Sequence, residues 1–275
     1  GITRIIALKQ SEGIASCLLN GQIHIWDWRN KSINFKINAH KSSIWCIIEL
    51  KNGMLCSGSS DKLIKVWDII HQNEKPITFR GHKGTIYCLT EMINNKIISG
   101  SEDKTIRVWD QLTQKCELVL NNEDSKANCI LALNKSNFFL VGSDDNTIKI
   151  WNLNTQYIPN KLIGHECTVW CLTSIKDDDL FASGSSDNTI KIWDINSLKC
   201  LYTLEGHENT ISSLKYLNNN LLASASWDKT AKIWNLNNKC CIYTIIGHKD
   251  IIWDITELKT GELATCSNDQ SIISW

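Results

Sequence analysis

The sequence predicts an all-β fold of seven repeated four-stranded units closed into a ring, and three observations predict it. Tryptophan recurs at positions 26, 67, 109, 151, 193, 234 and 275, at intervals of 41 or 42 residues. Six residues before these tryptophans stand Asp61, Asp103, Asp145, Asp187, Asp228 and Asp269, with Asn20 in the first repeat. Between the markers apolar and polar residues alternate with a period of two, as strands with one packed face require. A long period sustained over a whole chain marks a repeat architecture rather than a string of unrelated domains.

The third repeat shows the elements most clearly. Ile86 to Thr90 reads as an innermost strand, Lys96 to Gly100 as a second and Thr105 to Trp109 as a third. A fourth fits before the next Gly-His pair. Four strands in such a unit make one blade of a β-propeller. The blades are expected at about 1–38, 39–80, 81–120, 121–163, 164–205, 206–246 and 247–275. Thr3 to Leu8 already aligns with an inner strand, and Trp275 closes a third strand. The seventh blade is therefore expected to lack its outer strand, and the sequence reads as part of a longer chain.

Two further markers complete the repeat. Ten residues before the tryptophans lie Ser16, Ser57, Ser99, Ser183, Ser224 and Thr265, with Val141 as the exception. Earlier still come Ala39-His40, Gly81-His82, Gly164-His165, Gly206-His207 and Gly247-His248. With these residues in place the chain resembles the WD40-repeat β-propeller family over its entire length. The resemblance implies a buried His, Ser/Thr, Asp and Trp network in each blade that carries the full set. A histidine can donate at one ring nitrogen and accept at the other, so it can join a carboxylate to a hydroxyl. The fourth blade has Asp145 and Trp151, but Val141 in place of the hydroxyl and no Gly-His between Asn121 and Asn128. It is expected to be the least tightly pinned blade.

Composition excludes several function classes. Lys+Arg and Asp+Glu number 29 each, so no net charge draws the chain to nucleic acid or to an anionic membrane. No apolar run is long enough for a membrane helix. The twelve cysteines include no CxxC pair, and many sit in apolar strand-like runs as small hydrophobes. No disulfide framework, metal or cofactor is expected, and the chain reads as intracellular, in the cytoplasm rather than the nucleus. A Ser–His–Asp trio could suggest acyl transfer. Here the trio recurs around the ring beside a tryptophan, which is the signature of a structural tie, and no enzyme activity is expected.

The family resemblance implies a docking face where the Gly-His loops and the turns between second and third strands emerge. Two positions per blade point there. The first row reads Arg4, Trp45, Tyr87, Asn128, Trp170, Ser212 and Trp253, and the second reads Leu19, Ser60, Glu102, Asp144, Ser186, Trp227 and Asn268. Seven of the twelve tryptophans belong to the repeat, and four of the remaining five map to this face. Tryptophan and tyrosine are enriched among binding hot spots. The expected partner-binding set is therefore Arg4, Trp45, Tyr87, Glu102, Asp144, Trp170, Trp227 and Trp253. Only four arginines occur in the chain and one maps to this face, which disfavours a phosphopeptide. Aromatics beside Glu102 and Asp144 suit a Lys- or Arg-containing peptide instead. The expectation is a monomeric propeller, inside a larger chain or complex, that acts as a protein-interaction scaffold. The alternatives are a reader of a basic or modified-lysine tail and a passive structural subunit.

Overall fold

The computed structural model describes residues 1–9, 13–71, 75–92, 94–133, 137–155, 157–176 and 178–275. Seven antiparallel sheets follow one another along the chain, each a simple meander from an inner to an outer strand. Their inner strands are Ile2–Ala7, Ile44–Glu49, Ile86–Glu91, Ala127–Ala132, Val169–Ile175, Ile211–Leu217 and Ile252–Glu257. Six sheets have four strands, and the seventh has three: Ile252–Glu257, Leu263–Ser267 and Ile272–Ser274. The fold is the seven-bladed propeller that the repeat predicts. No helix among the described residues is long and apolar enough to cross a membrane.

The apolar core lies between neighbouring blades. Ile64, Val66 and Phe79 of the second blade pack on Ile86, Leu89, Ile97 and Trp109 of the third. Ring closure uses the same packing, with Ile2, Ile5 and Ile14 of the first blade against Leu258, Ala264 and Cys266 of the seventh. The Ile5 N–H donates to Asp254 Oδ2 across that seam at 3.0 Å.

Five blades contain the full polar tie. The His Nδ1–H donates to the Asp carboxylate at 2.6–3.0 Å in the pairs His40–Asp61, His82–Asp103, His165–Asp187, His207–Asp228 and His248–Asp269. The Ser or Thr hydroxyl donates to the other ring nitrogen at 2.6–2.9 Å. The same hydroxyl accepts the indole N–H at 2.7–3.1 Å. One neutral tautomer satisfies every member. The carboxylate also accepts backbone N–H groups, as Asp61 does from Lys41 and Leu63. It thereby joins the loop entering the inner strand to the turn between second and third strands.

That turn needs a left-handed residue directly after the aspartate. Lys62, Lys104, Asn146, Asn188, Lys229 and Gln270 all have φ of 67–70°. Asn and Asp tolerate this region better than other side chains, so the lysines and the glutamine are held there by the surrounding bonds. In the first blade Gly21 takes the position at φ 82°, where a Cβ would stand 2.3 Å from the His40 carbonyl oxygen.

The fourth blade replaces the tie with a different one. Lys149 is fully buried, and its Nζ lies 2.8 Å from Asp145 Oδ2 and 3.1 Å from the Asn122 carbonyl oxygen. It also donates to Ser125 Oγ. Asn122 Nδ2 adds a 3.0 Å bond to Ser143 Oγ. Among the described residues of this network, Asn122 Oδ1 and the Trp151 indole N–H are left without partners, the latter because Val141 offers no acceptor. The expectation of a loosely pinned blade overlooks this lysine, whose charge takes over the role of the missing imidazole.

Removing Lys149 strands the buried Asn122 carbonyl and Ser125 hydroxyl, while the partly exposed Asp145 keeps Lys161 at 3.5 Å. Lys149→Met is expected to cost about 1–3 kcal/mol, as leaving a buried polar group unpaired does, and Ser183→Ala a similar amount. Urea unfolding of the two variants checks this, and an unchanged stability of Lys149→Met contradicts the buried-lysine tie.

Acid should weaken the ties in two stages. Burial holds His82 below its usual range despite Asp103 beside it. Its contribution is present at neutral pH and is lost as pH falls below about 6.5, where the unfolded imidazole takes up a proton. Burial opposes ionisation of Asp103, but Thr105, the Lys83 N–H and His82 outweigh it and bring the carboxyl down to about 2. Asp61, Asp187, Asp228 and Asp269 are lowered for similar reasons. Their contribution is lost from about pH 4 downward. The urea midpoint is expected to fall from pH 7 to 5 and again to pH 3, and a rise over either step contradicts these assignments.

Candidate functional site: an aromatic rim at the channel mouth

Every inner strand carries an irregularity near its start. The register slips across Ile2/Arg4, Ile44/Cys46, Ala127/Cys129, Val169/Cys171, Ile211/Ser213 and Ile252/Asp254, and opposite Gly100/Ser101 in the third blade. A bulge leaves one residue out of the ladder and re-aims its side chain. The seven bulged residues are Thr3, Trp45, Tyr87, Asn128, Trp170, Ser212 and Trp253. All seven line one cavity of about 160 Å³ at the mouth of the central channel, together with Arg4 and Trp227.

The register corrects one expected position. Arg4 does not belong to the rim row; Thr3 does, and Arg4 sits one residue deeper with Cys46, Cys88, Cys129, Cys171, Ser213 and Asp254. Counting back twelve residues from Ser16 reaches Arg4, but the bulge lies thirteen back, at Thr3, as it also does in the fourth and fifth blades. Arg4 still reaches the cavity. Its Nε donates to the Trp45 carbonyl at 3.0 Å, its Nη1 to the Trp253 carbonyl at 3.3 Å, and Asp254 lies 3.8 Å away. Burial disfavours the guanidinium charge, but the Asp254 field prevails and keeps its pKa above the usual value.

The aromatic side chains form a continuous arc. Ring centroids are 6.3 Å apart for Tyr87 and Trp45, 5.7 Å for Trp45 and Trp253, 5.5 Å for Trp253 and Trp227, and 5.8 Å for Trp227 and Trp170. Two of the indoles are anchored, since Trp45 donates to Ser60 Oγ at 2.8 Å and Trp170 to Ser186 Oγ at 2.7 Å. Ser60 and Ser186 are the second-row residues of the same blades. All five rings are half-buried, each packed on its neighbours while facing the cavity.

Beneath the rim the four cysteines each donate to the next blade's inner strand, as Cys46 does to the Ile86 carbonyl at 3.7 Å and Cys88 to the Ala127 carbonyl at 3.4 Å. Burial pushes the Cys46 and Cys129 thiols up to about 12, so they are not nucleophiles at neutral pH. The tie hydroxyls of Ser57, Ser99, Ser183, Ser224 and Thr265 are fully buried and bonded, which keeps them from any substrate. Among the described residues no His, Cys, Asp and Glu side chains group as a metal site.

Glu102 and Asp144 lie outside the cavity and are exposed. They already have partners: Glu102 lies 3.7 Å from Lys126 Nζ, and Asp144 Oδ1 accepts the Lys126 N–H at 2.7 Å. Both flank Tyr87, whose hydroxyl is raised first by burial and then by the field of Glu102, with a smaller part from Asp144. The structure thus brings together six of the eight expected residues. It adds Thr3, Asn128 and Ser212, the last two of which stand in the first row but carry no aromatic ring to single them out.

The family described as the first β-propeller of IFT122 matches residues 2–275. The chain belongs to that family. The propellers of this family are WD40-type, typically non-enzymatic scaffolds for protein interaction. Among solved structures, the WD40 β-propeller domain of Doa1 is similar, at 24% identity and a TM-score of 0.86, over 99% of this chain and 94% of that one. At that identity the likeness concerns the fold. No sequence among curated proteins matches.

The acidic flank of the family's rim in this chain can be tested directly. Glu102→Gln removes a negative charge beside Tyr87 and is expected to move its hydroxyl titration down toward the ordinary tyrosine range while burial keeps it above. NMR titration of the Tyr87 ring checks this, and an unchanged midpoint contradicts the placement.

Proposed function

We propose that this propeller is a non-enzymatic partner-binding module that receives a segment of another protein on its aromatic rim. The observation that carries the reading is the convergence of Trp45, Tyr87, Trp170, Trp227 and Trp253 on one cavity at the channel mouth. Five large rings from five blades meet there, although the fold requires no aromatic at these positions: Thr3, Asn128 and Ser212 occupy the same row. Aromatic rings with few rotatable bonds supply contact area at low entropic cost.

The family supplies the setting. Proteins of the IFT122 type belong to an intraflagellar transport complex, IFT-A, which points to protein partners and to a ciliary or cytoplasmic location for this chain. The reading of a basic or modified-lysine tail has weaker support, because no carboxylate lines the cavity and Glu102 and Asp144 are engaged with Lys126.

Affinity capture from cell extract with wild type and with Trp170→Ala/Trp253→Ala tests the proposal, after circular dichroism has shown both to be folded. The double variant is expected to lose at least one partner by about tenfold or more, as hot-spot truncations of about 2 kcal/mol each would produce. An unchanged set of partners would make the rings packing for the channel and the propeller a scaffold contacted at its blade edges.

A further inference from the structure

Three hydrogen-bond donors at the rim have no acceptor among the described residues. They are Asn128 Nδ2 and the indole Nε1 atoms of Trp227 and Trp253. All three side chains line the same cavity. Lack of a partner is not a general property of the rim, since Trp45 and Trp170 donate to Ser60 and Ser186. Asn128 is the sharpest case: the residue is 5% exposed, and no described residue accepts its amide hydrogens. A buried donor left unpaired destabilises the folded chain, so its presence calls for a reason outside folding.

The charge in the cavity has one sign. Arg4 is the only ionised side chain among the residues that line it. Its counter-charge, Asp254, belongs to the layer beneath and is occupied by the Ile5 and Ile255 N–H groups at 3.0 Å and by the Ser213 hydroxyl. Aromatic rings present a positive edge, and indole and amide N–H groups bind anionic acceptors more strongly than neutral ones. An ammonium group entering here would meet donors and a guanidinium, with no acceptor from Glu102 or Asp144 inside the cavity.

We infer that the rim cavity takes a peptide carboxylate, from an acidic side chain or from a chain end, bound by Asn128, Trp227 and Trp253 with Arg4 beneath. The inference rests on the rim being the partner-binding face and gives that face its chemistry. The three nitrogens are covered by their neighbours, so the carboxylate enters by turning the Trp227 and Trp253 rings. No hydrogen bond restrains those two indoles, while Trp45 and Trp170 remain anchored.

The test uses five N-acetylated pentapeptides titrated into the protein and followed by the indole N–H resonances. Three are amidated, with Glu, Gln or Lys at the centre of an Ala/Leu sequence. The other two carry only Ala and Leu, one as the free acid and one as the amide. The Glu peptide, the free acid or both are expected to bind at least about tenfold more tightly than the Gln, Lys and fully blocked peptides, shifting Trp227 and Trp253 more than Trp45 and Trp170. Which of the two binds identifies the source of the carboxylate. Asn128→Leu is expected to lose that preference while its thermal midpoint stays the same or rises, because the variant removes an unpaired donor. Binding that ignores charge, preference for the Lys peptide, or a preference that survives Asn128→Leu overturns the inference and leaves the rim a binding face. Absence of binding by every peptide also overturns it, and capture through Trp170 and Trp253 then decides separately whether the rim binds partners.

Discussion

The hydrogen-bonded relay from indole to hydroxyl to neutral imidazole to carboxylate is the interaction on which the rest of this structure depends. The aspartate in each relay faces two segments at once: the loop that leads into the inner strand and the turn that joins the second and third strands. Holding both, it fixes the approach to the inner strand, and the bulge that follows recurs even in the first and fourth blades, which lack the relay. The bulge aims one side chain per blade at the channel mouth. Ties and bulges repeated around the ring bring the bulged side chains to one shared surface.

The fourth blade shows that different residues can make the tie, with only Asn122 Oδ1 and the Trp151 indole N–H left unpaired among its described members. With no imidazole and no hydroxyl available, Lys149 brings its charge to Asp145 and takes the remaining acceptors from Asn122 and Ser125. A similar exchange runs through the inner layer. Where the channel position is cysteine, a glycine stands opposite, and a Cβ on Gly58 or Gly184 would come within 2.6 Å of the thiol sulfur and as close to the next blade. In the sixth blade Ser213 is paired with Ala225 instead. The sheets pack closely in either case, through different divisions of the same volume.

How much of the molecule is legible in the sequence follows from which features repeat. The tryptophan period, the Gly-His pairs and the turn aspartates recur, so the number of blades, their strand order and the members of five ties can all be read from the residues alone. Features that depend on a single blade cannot. Lys149 has lysine counterparts at Lys65, Lys191 and Lys232 that are not buried, and nothing in its own residue type says that it alone turns inward. Arg4 adjoins Thr3, and only the position of the bulge shows which of the two belongs to the rim row. Glu102 and Asp144 sit in the right row, but a sequence cannot show that Lys126 already faces them. Asn128 stands among the rim positions, and only three-dimensional accounting of its donors makes it notable.

The fold's regular part positions an aromatic rim, and that rim is the proposed partner-binding face. Hydrogen–deuterium exchange of the propeller alone and in a captured complex measures this most directly. The account predicts new protection at the starts of the inner strands, around Trp45, Tyr87, Asn128, Trp170 and Trp253, and at the turn bearing Trp227, with outer strands unchanged. Protection confined to the outer strands or to the opposite mouth of the channel would contradict it.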